Sequence, residues 1–190
     1  MISKVTNIVK RLFKSASNEV DSLKDTQFKA IGKNVQINNL DSIHAKSCIE
    51  IGNNVYIGGD AYIWGRGGLV IEDNTIIGPR VTIHTVNHRY ENATMLPYDN
   101  YSYLKPVIIG KNVWIGDHTL ICPGTKIGDG AVIAMGSVVS GEIPRLAVVA
   151  GNPAKVIKYR DAEMYDDLVK KEKYYLQEKS KQKMKSTYIS

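Results

Sequence analysis

A single aliphatic side chain recurs every six residues along most of this 190-residue sequence. An amphipathic helix would repeat its apolar residues at intervals of three and four, and a half-buried strand would alternate every two. A period of six suits short strands that each point one side chain inward before the chain turns a corner. Three such units make a coil of 18 residues, so the pattern predicts a triangular solenoid. The longest uninterrupted run is Ile109, Ile115, Ile121, Ile127, Ile133 and Val139.

Upstream of that run, similar segments begin at Ile31, Ile51 and Ile71, which are 20 residues apart. Gly, Asn and Asp follow the aliphatic positions in "GKN", "GNN", "EDN" and "GDG", where corners need unusual backbone angles. Each coil buries its aliphatic residues only by stacking on its neighbours. An all-β solenoid is therefore favoured over a sandwich with regular turns.

The repeat breaks once. A coil that begins at Ile71 closes at His88, and the next begins at Ile109, which predicts a loop over residues 89–108 that leaves the solenoid. The segment is polar and rich in tyrosine, and Pro97 and Pro106 interrupt regular structure. Long loops on a rigid scaffold often carry function, so His88 at the junction is a candidate functional residue.

His84 and His88 stand four residues apart in "HTVNH". A zinc pair at this spacing requires a helix, and the segment lacks the glutamate of the metalloprotease motif. A neutral imidazole is also a general base near neutral pH, typically worth about 10²–10⁴ in rate. We expect no metal here, with His88 at the junction as the candidate functional histidine and His84 as supporting structure.

Composition narrows the class of protein. No stretch reaches about 18 consecutive apolar residues, so no membrane span is expected, and no signal peptide is recognisable at the N-terminus. Cys48 and Cys122 form no close pair, which is typical of a reduced cytoplasmic protein.

The net charge of +6 is concentrated at the two ends. Residues 1–20 carry +3 and residues 170–190 carry +5, which leaves −2 for the rest of the chain. A nucleic-acid groove would need basic residues on the folded body, so none is expected. The ends are either solvated or contact an anionic membrane surface.

Helices are predicted at both ends. Residues 1–27 form a basic amphipathic helix in this interpretation, and residues 159–190 form a helix and a basic tail. Met164, Leu168 and Tyr175 would share one helix face, with the helix capping the exposed edge of the solenoid.

Four short motifs, "NVWIG", "PGTKIG", "GSVVS" and "AGNPAKVI", lie between Ile109 and Ile157. With the repeat, they resemble the left-handed β-helix hexapeptide-repeat acyltransferases, in the branch of the galactoside, maltose and polysaccharide O-acetyltransferases. The resemblance covers roughly residues 28–158. It implies a left-handed parallel β-helix, acetyl-CoA as donor, a homotrimer with active sites between subunits, and His88 as general base without an acyl-enzyme.

The resemblance also implies which residues bind coenzyme A. Asp117 and Met135 replace smaller residues, so they would act through their backbone. Lys155 and Lys158 stand where arginine is common, and a lysine offers a point charge instead of the two-pronged guanidinium group. The alternatives are that each lysine is a solvated charge at the edge of the solenoid and that Trp114 contacts another subunit. The full set is Trp114, Asp117, Met135, Ser140, Gly141, Lys155 and Lys158.

The acceptor would meet Asn87, Tyr90, Tyr62 and Trp64, because aromatic rings suit the faces of sugars. Tyr90 and the other loop tyrosines Tyr98, Tyr101 and Tyr103 could stack on a sugar or pack on a neighbouring subunit. His118 either lines the cleft or supports the structure.

The leading hypothesis is an acetyl-CoA-dependent O-acetyltransferase that acts on a sugar hydroxyl in surface-polysaccharide or capsule synthesis. It would be cytoplasmic or at the inner face of the membrane. The alternatives are acetylation of serine, a nucleotide-linked amino sugar or a xenobiotic, and a non-catalytic ligand-binding solenoid. A zinc-binding β-helix of the γ-carbonic anhydrase type is less consistent with the "AGNPAKVI" ending.

Overall fold

The computed structural model describes residues 27–181, which form a left-handed parallel β-helix followed by two short helices. The predicted solenoid is confirmed. The predicted N-terminal helix and the end of the basic tail lie outside the described residues.

Three sheets form the faces of the solenoid. The first contains β1 (Ala30–Ile31), β4 (Ile49–Ile51), β7 (Leu69–Ile71), β12 (Val107–Ile109), β15 (Lys126–Ile127) and β18 (Glu142–Ile143). The second contains β2 (Gln36–Ile37), β5 (Tyr56–Ile57), β8 (Ile76–Ile77), β13 (Trp114–Ile115), β16 (Val132–Ile133), β19 (Ala147–Gly151) and β20 (Ala154–Tyr159). The third contains β3 (Ile43–His44), β6 (Tyr62–Trp64), β9 (Thr82–His84), β14 (Leu120–Ile121) and β17 (Val138–Val139).

The remaining elements lie outside the three faces. They are a 3₁₀ helix (Lys46–Cys48), a hairpin of β10 (Val86–His88) and β11 (Ser102–Leu104), α1 (Ala162–Lys170) and α2 (Tyr175–Lys181). In the part of the chain that the structure describes, no helix is long and apolar enough to cross a bilayer.

The core consists of columns of inward aliphatic residues that follow the six-residue period. In the second sheet, Ile57, Ile77, Ile115 and Ile133 stand directly above one another and are fully buried. Burying one such side chain is worth about 1.5–3 kcal/mol. Ile31, in the first described strand, is 52% exposed because it has a neighbouring strand on one side only.

Asparagine forms the corner between the first and second sheets. Asn34, Asn54, Asn74 and Asn112 all have φ between 54° and 61°, a region that asparagine tolerates better than most residues. The Asn34 side-chain amide donates to Asn54 Oδ1 (2.9 Å), and that of Asn54 donates to Asn74 Oδ1 (3.0 Å). This column of amides links three coils at their corner.

The excursion leaves the solenoid earlier than the count of whole coils predicted. The hairpin begins at Val86, and the solenoid resumes at Val107, which pairs with Leu69. In the preceding coil a short turn over residues 65–68 joins β6 to β7. The excursion replaces that turn directly after Thr85, so His88 lies on a hairpin strand and does not close a coil.

The predicted helix face at the C-terminus was wrong. Met164, Leu168 and Tyr175 are exposed, whereas Tyr165 and Leu176 are buried. Asn112 Nδ2 donates to the Tyr165 hydroxyl (2.8 Å). The corner asparagine therefore favours an aromatic residue with a hydroxyl group at this buried position of α1.

The helices do not cap the end of the second sheet either. β20 pairs antiparallel with β19 there and occupies that edge. The Asp161 carboxylate accepts the Met164 backbone N–H (2.9 Å) and starts α1 beyond the strand.

Candidate functional site

The hairpin is fixed to the solenoid at its base. The buried Thr85 hydroxyl donates to the Trp64 carbonyl (2.8 Å) and accepts the Gly67 N–H (2.7 Å). The Lys105 N–H donates to the Thr85 carbonyl (2.8 Å) and closes the base. The first hairpin strand is therefore held at the corner between the third and first sheets.

His88 is exposed near this base, opposite Ser102 in the hairpin. Its imidazole stacks on the Tyr98 ring, with centroids 3.8 Å apart and planes 11° from parallel. Asn87 Oδ1 accepts the His88 backbone N–H (3.0 Å). Within residues 27–181 no side chain hydrogen-bonds to the imidazole, so Tyr98 is the group that orients it.

Asp99 organises the rest of the loop. It is buried and accepts hydrogen bonds from the Arg89 guanidinium, the Thr94 N–H (3.1 Å) and the Tyr101 N–H (3.1 Å). The Arg89 guanidinium beside it holds the pKa of the Asp99 carboxyl well below its usual range, and the same contact raises the pKa of Arg89. The guanidinium also lies 4.3 Å from the centre of the Tyr101 ring.

Sequence reasoning missed this Arg89–Asp99 pair. The pair replaces the aliphatic core that the loop lacks, and it fixes the backbone next to Tyr98. Nothing in the sequence distinguishes Asp99 from the other polar residues of the loop.

Four rings cluster on the outer surface of the third sheet, which we call the aromatic face: His44, Tyr62, Trp64 and His84. The His44 ring lies 5.4 Å from Tyr62 and 5.3 Å from Trp64, and the Tyr62 and His84 rings are 5.7 Å apart, measured between centroids. The structure thus brings the predicted acceptor residues Tyr62 and Trp64 together with His84, one residue before the base of the hairpin. His44 was not among the predicted site residues.

Four of the predicted coenzyme A residues flank the third sheet. Asp117 and Met135 occupy the corner before it, in adjacent coils, and the Gly136 N–H donates to the Asp117 carbonyl (2.8 Å). Ser140 and Gly141 follow its last strand. The Asp117 carboxylate lies over Gly78, where it leaves no room for a Cβ.

Trp114 and Lys158 belong to the second sheet instead. The register runs from Trp114 through Val132 and Val148 to Lys158, so they share one row along the solenoid. Lys155 pairs with Ala150 in the same terminal hairpin. One chain therefore presents the predicted donor residues Trp114 and Lys158 on a different sheet from the aromatic face.

Two further predictions concern His118 and Tyr90. His118 has φ 58° and donates its backbone N–H to the Pro79 carbonyl (3.1 Å), which is a corner role in the solenoid. Tyr90 is exposed on the loop, two residues after His88. Among residues 27–181 no group of three His, Cys, Asp or Glu side chains is placed to hold a metal ion.

Known proteins share both the repeat and the fold. Residues 106–141 match the bacterial transferase hexapeptide family (six repeats), and residues 49–83 match the hexapeptide repeat of succinyl-transferase. The chain is 36% identical over 138 residues to the galactoside O-acetyltransferase of Escherichia coli (strain K12), which covers 73% of this chain and 67% of that protein.

Two solved structures extend the comparison. A galactoside acetyltransferase in complex with coenzyme A superposes with a TM-score of 0.62 at 34% identity, over 73% of this chain and 68% of that one. A mutant of AntD, an N-acyltransferase from Bacillus cereus in complex with dTDP and coenzyme A, superposes with a TM-score of 0.64 at 26% identity. The match covers 82% of this chain and 95% of that one.

Proposed function

Since this chain belongs to the hexapeptide-repeat acyltransferases, in the branch of the galactoside O-acetyltransferases, we propose that it transfers an acetyl group from acetyl-CoA to a sugar hydroxyl. The observation that carries the proposal is the position of His88: exposed, oriented by Tyr98, and held at the base of a hairpin beside the aromatic face.

In the proposed mechanism the neutral His88 imidazole accepts the proton of the acceptor hydroxyl as its oxygen attacks the thioester carbonyl. The C–S bond then breaks, the acetyl group stays on the sugar oxygen, and the proton passes to the coenzyme A thiolate. The histidine is an acceptor of the right strength near neutral pH. Holding both substrates in one cleft supplies the rest of the rate enhancement over the reaction in solution. No covalent enzyme intermediate is required.

The donor would follow the row from Trp114 to Lys158, with Lys155 and Lys158 facing its phosphates and Ser140, Gly141 and the Asp117 and Met135 backbones along the acyl arm. The acceptor would stack on Tyr62 and Trp64, with Asn87 and Tyr90 beside His88. In one chain Trp114 and Lys158 lie on the second sheet, whereas Tyr62 and Trp64 lie on the third. This separation supports a homotrimer in which each site forms between two subunits.

The biological role belongs to the same proposal. We place the reaction on the cytoplasmic side of the membrane, in the synthesis of surface polysaccharide or capsule, and the basic ends of the chain would contact anionic lipid there. A second acceptor class is a nucleotide-linked amino sugar, because the chain spans nearly the whole of an N-acyltransferase that binds dTDP.

The test measures thiol release from acetyl-CoA with a panel of galactosides, maltosides and dTDP-linked amino sugars. His88→Ala should lose at least about 100-fold in kcat. His118→Asn is the matched control, because asparagine tolerates the left-handed corner and should keep full activity. Full activity in His88→Ala would remove it as the base. Turnover with the amino sugars alone would select the second acceptor class.

A further inference from the structure

The aromatic face is longer than a single sugar ring. His44, Trp64 and His84 lie opposite one another in β3, β6 and β9, so they form one row across three coils. Adjacent strands are about 4.8 Å apart, so this row spans about 10 Å. A pyranose ring is similar in width to one strand spacing. The row therefore has room for more than one sugar unit.

The rings of this face do not cover one another. The plane of the His44 ring is tilted by 58° to that of Tyr62 and by 45° to that of Trp64. The Tyr62 and His84 planes are tilted by 33°, and Tyr62 and Trp64 are each 36% exposed. The base and the tyrosine stacked on it, by contrast, lie 11° from parallel and cover each other. Tilted rings at a surface offer their faces to the C–H groups of a ligand.

The edges of the same four rings are polar. They carry imidazole nitrogens, an indole N–H and a phenol hydroxyl, which donate or accept hydrogen bonds. Within residues 27–181 these ring atoms have no hydrogen-bond partner. A sugar has C–H faces and a rim of hydroxyl groups, so it matches rings with apolar faces and polar edges. The chemistry of the face therefore favours a carbohydrate over a purely apolar chain.

The order of the strands gives the face a direction. The third sheet runs in the order β17, β14, β9, β6 and β3. Ser140 and Gly141, which belong to the proposed donor set, follow β17 at one end, and the hairpin that carries His88 follows β9 in the middle. β6 and β3 therefore lie on the side of the hairpin away from these two donor residues. An acceptor held at His88 can extend over β6 and β3.

We propose that the acceptor is a saccharide chain of at least two units, and that His44 binds the unit furthest from the base. The reacting unit lies beside His88, the next unit rests on Tyr62 and Trp64, and the chain continues to His44. The inference rests on the proposed sugar acceptor. It adds His44 to the site and selects a chain over a single sugar.

The test compares acceptors of increasing length: glucose, maltose and maltotriose, and galactose with its β-1,4-linked disaccharide and trisaccharide. In the series that is acetylated, kcat/KM of the wild type should rise with length. His44→Ala should lower kcat/KM for the trisaccharide about 2- to 12-fold, the value of one aromatic contact, and leave that for the monosaccharide unchanged. His44→Phe keeps a flat ring and should keep most of the gain.

Tyr56→Ala is the matched control. It removes a half-buried ring from the second sheet, in the coil that carries Trp64, and should change kcat/KM for neither length. If kcat/KM of the wild type does not depend on length, or if His44→Ala lowers it equally for both lengths, the proposal is overturned while the proposed function stands. If His44→Ala changes the sedimenting mass and leaves the dependence on length intact, the face is a subunit contact and the proposal is overturned.

Fluorescence tests the face without turnover. The sequence has two tryptophans, so in Trp114→Phe the emission reports on Trp64 alone. One of the two trisaccharides should change this emission, and His44→Ala in that background should raise its Kd. If no acceptor is acetylated, the proposed function fails, and this binding measurement still decides whether the face holds a saccharide. No change with either trisaccharide overturns the proposal, and a change with dTDP alone would assign the face to a nucleotide instead.

Discussion

The stack of Tyr98 on His88 makes a quantitative prediction about catalysis. An aromatic pair in this geometry is worth about 0.5–1.5 kcal/mol beyond its buried area. If that energy holds the imidazole in its reactive orientation, Tyr98→Ala should lower kcat about 2- to 12-fold, because each 1.36 kcal/mol of barrier is tenfold in rate. Tyr98 is 43% exposed, so its removal should leave the fold intact.

The controls follow from the same geometry. Tyr98→Phe keeps the ring and should keep kcat. The KM for acetyl-CoA should not change in either variant, because none of the predicted coenzyme A residues lies on the hairpin. Nuclear magnetic resonance of the His88 ring protons gives an independent readout, since they should lose their ring-current shift in Tyr98→Ala.

Two results would refute the reasoning. An unchanged kcat together with a lost ring-current shift would show that the stack does not orient the base. An unchanged kcat with a raised KM for the acceptor would show that Tyr98 contacts the sugar instead.

Two further predictions concern the scaffold and the loop. Ile83→Ala should lower the free energy of unfolding by about 4 kcal/mol, of which roughly 2.4 kcal/mol comes from three lost carbons and the rest from the cavity. Ile31 is 52% exposed, against 0% for Ile83, so Ile31→Ala should lower it by about 1 kcal/mol. Urea unfolding measures both losses, and equal losses would contradict the stacked core. The pKa of Asp99 is lowered in the folded protein, so its anchoring of the loop is complete above the unfolded pKa of about 3.9 and is lost only as the pH falls through the folded pKa. The chemical shifts of the Thr94 and Tyr101 amides should therefore stay constant from pH 8 to about 4. A transition near neutral pH would count against the Arg89–Asp99 pair.

The solenoid could be predicted from the sequence because its strands point aliphatic side chains inward at a fixed period of six, and many corners carry residues that tolerate positive φ. The roles of Ile115 and Asn74 follow from their residue types and their positions in the repeat. The start of the excursion could not be placed, because the residue count gives the length of a coil and does not show that the excursion replaces the turn directly after Thr85. The buried face of α1 depends on Asn112, a partner 53 positions from Tyr165. The orientation of His88 depends on Tyr98, whose backbone position follows from the contacts of Asp99.

The hydrogen bond from Lys105 to Thr85 has a consequence for how such an enzyme changes its acceptor. It joins the two ends of the excursion. The contact between the excursion and the solenoid is therefore the same whatever residues lie between these two ends. The hairpin thus behaves as an exchangeable cassette: its length and side chains can vary while the coils on either side keep their register. New acceptor preferences could then arise by substitution within residues 86–104, while the buried core of the solenoid stays the same.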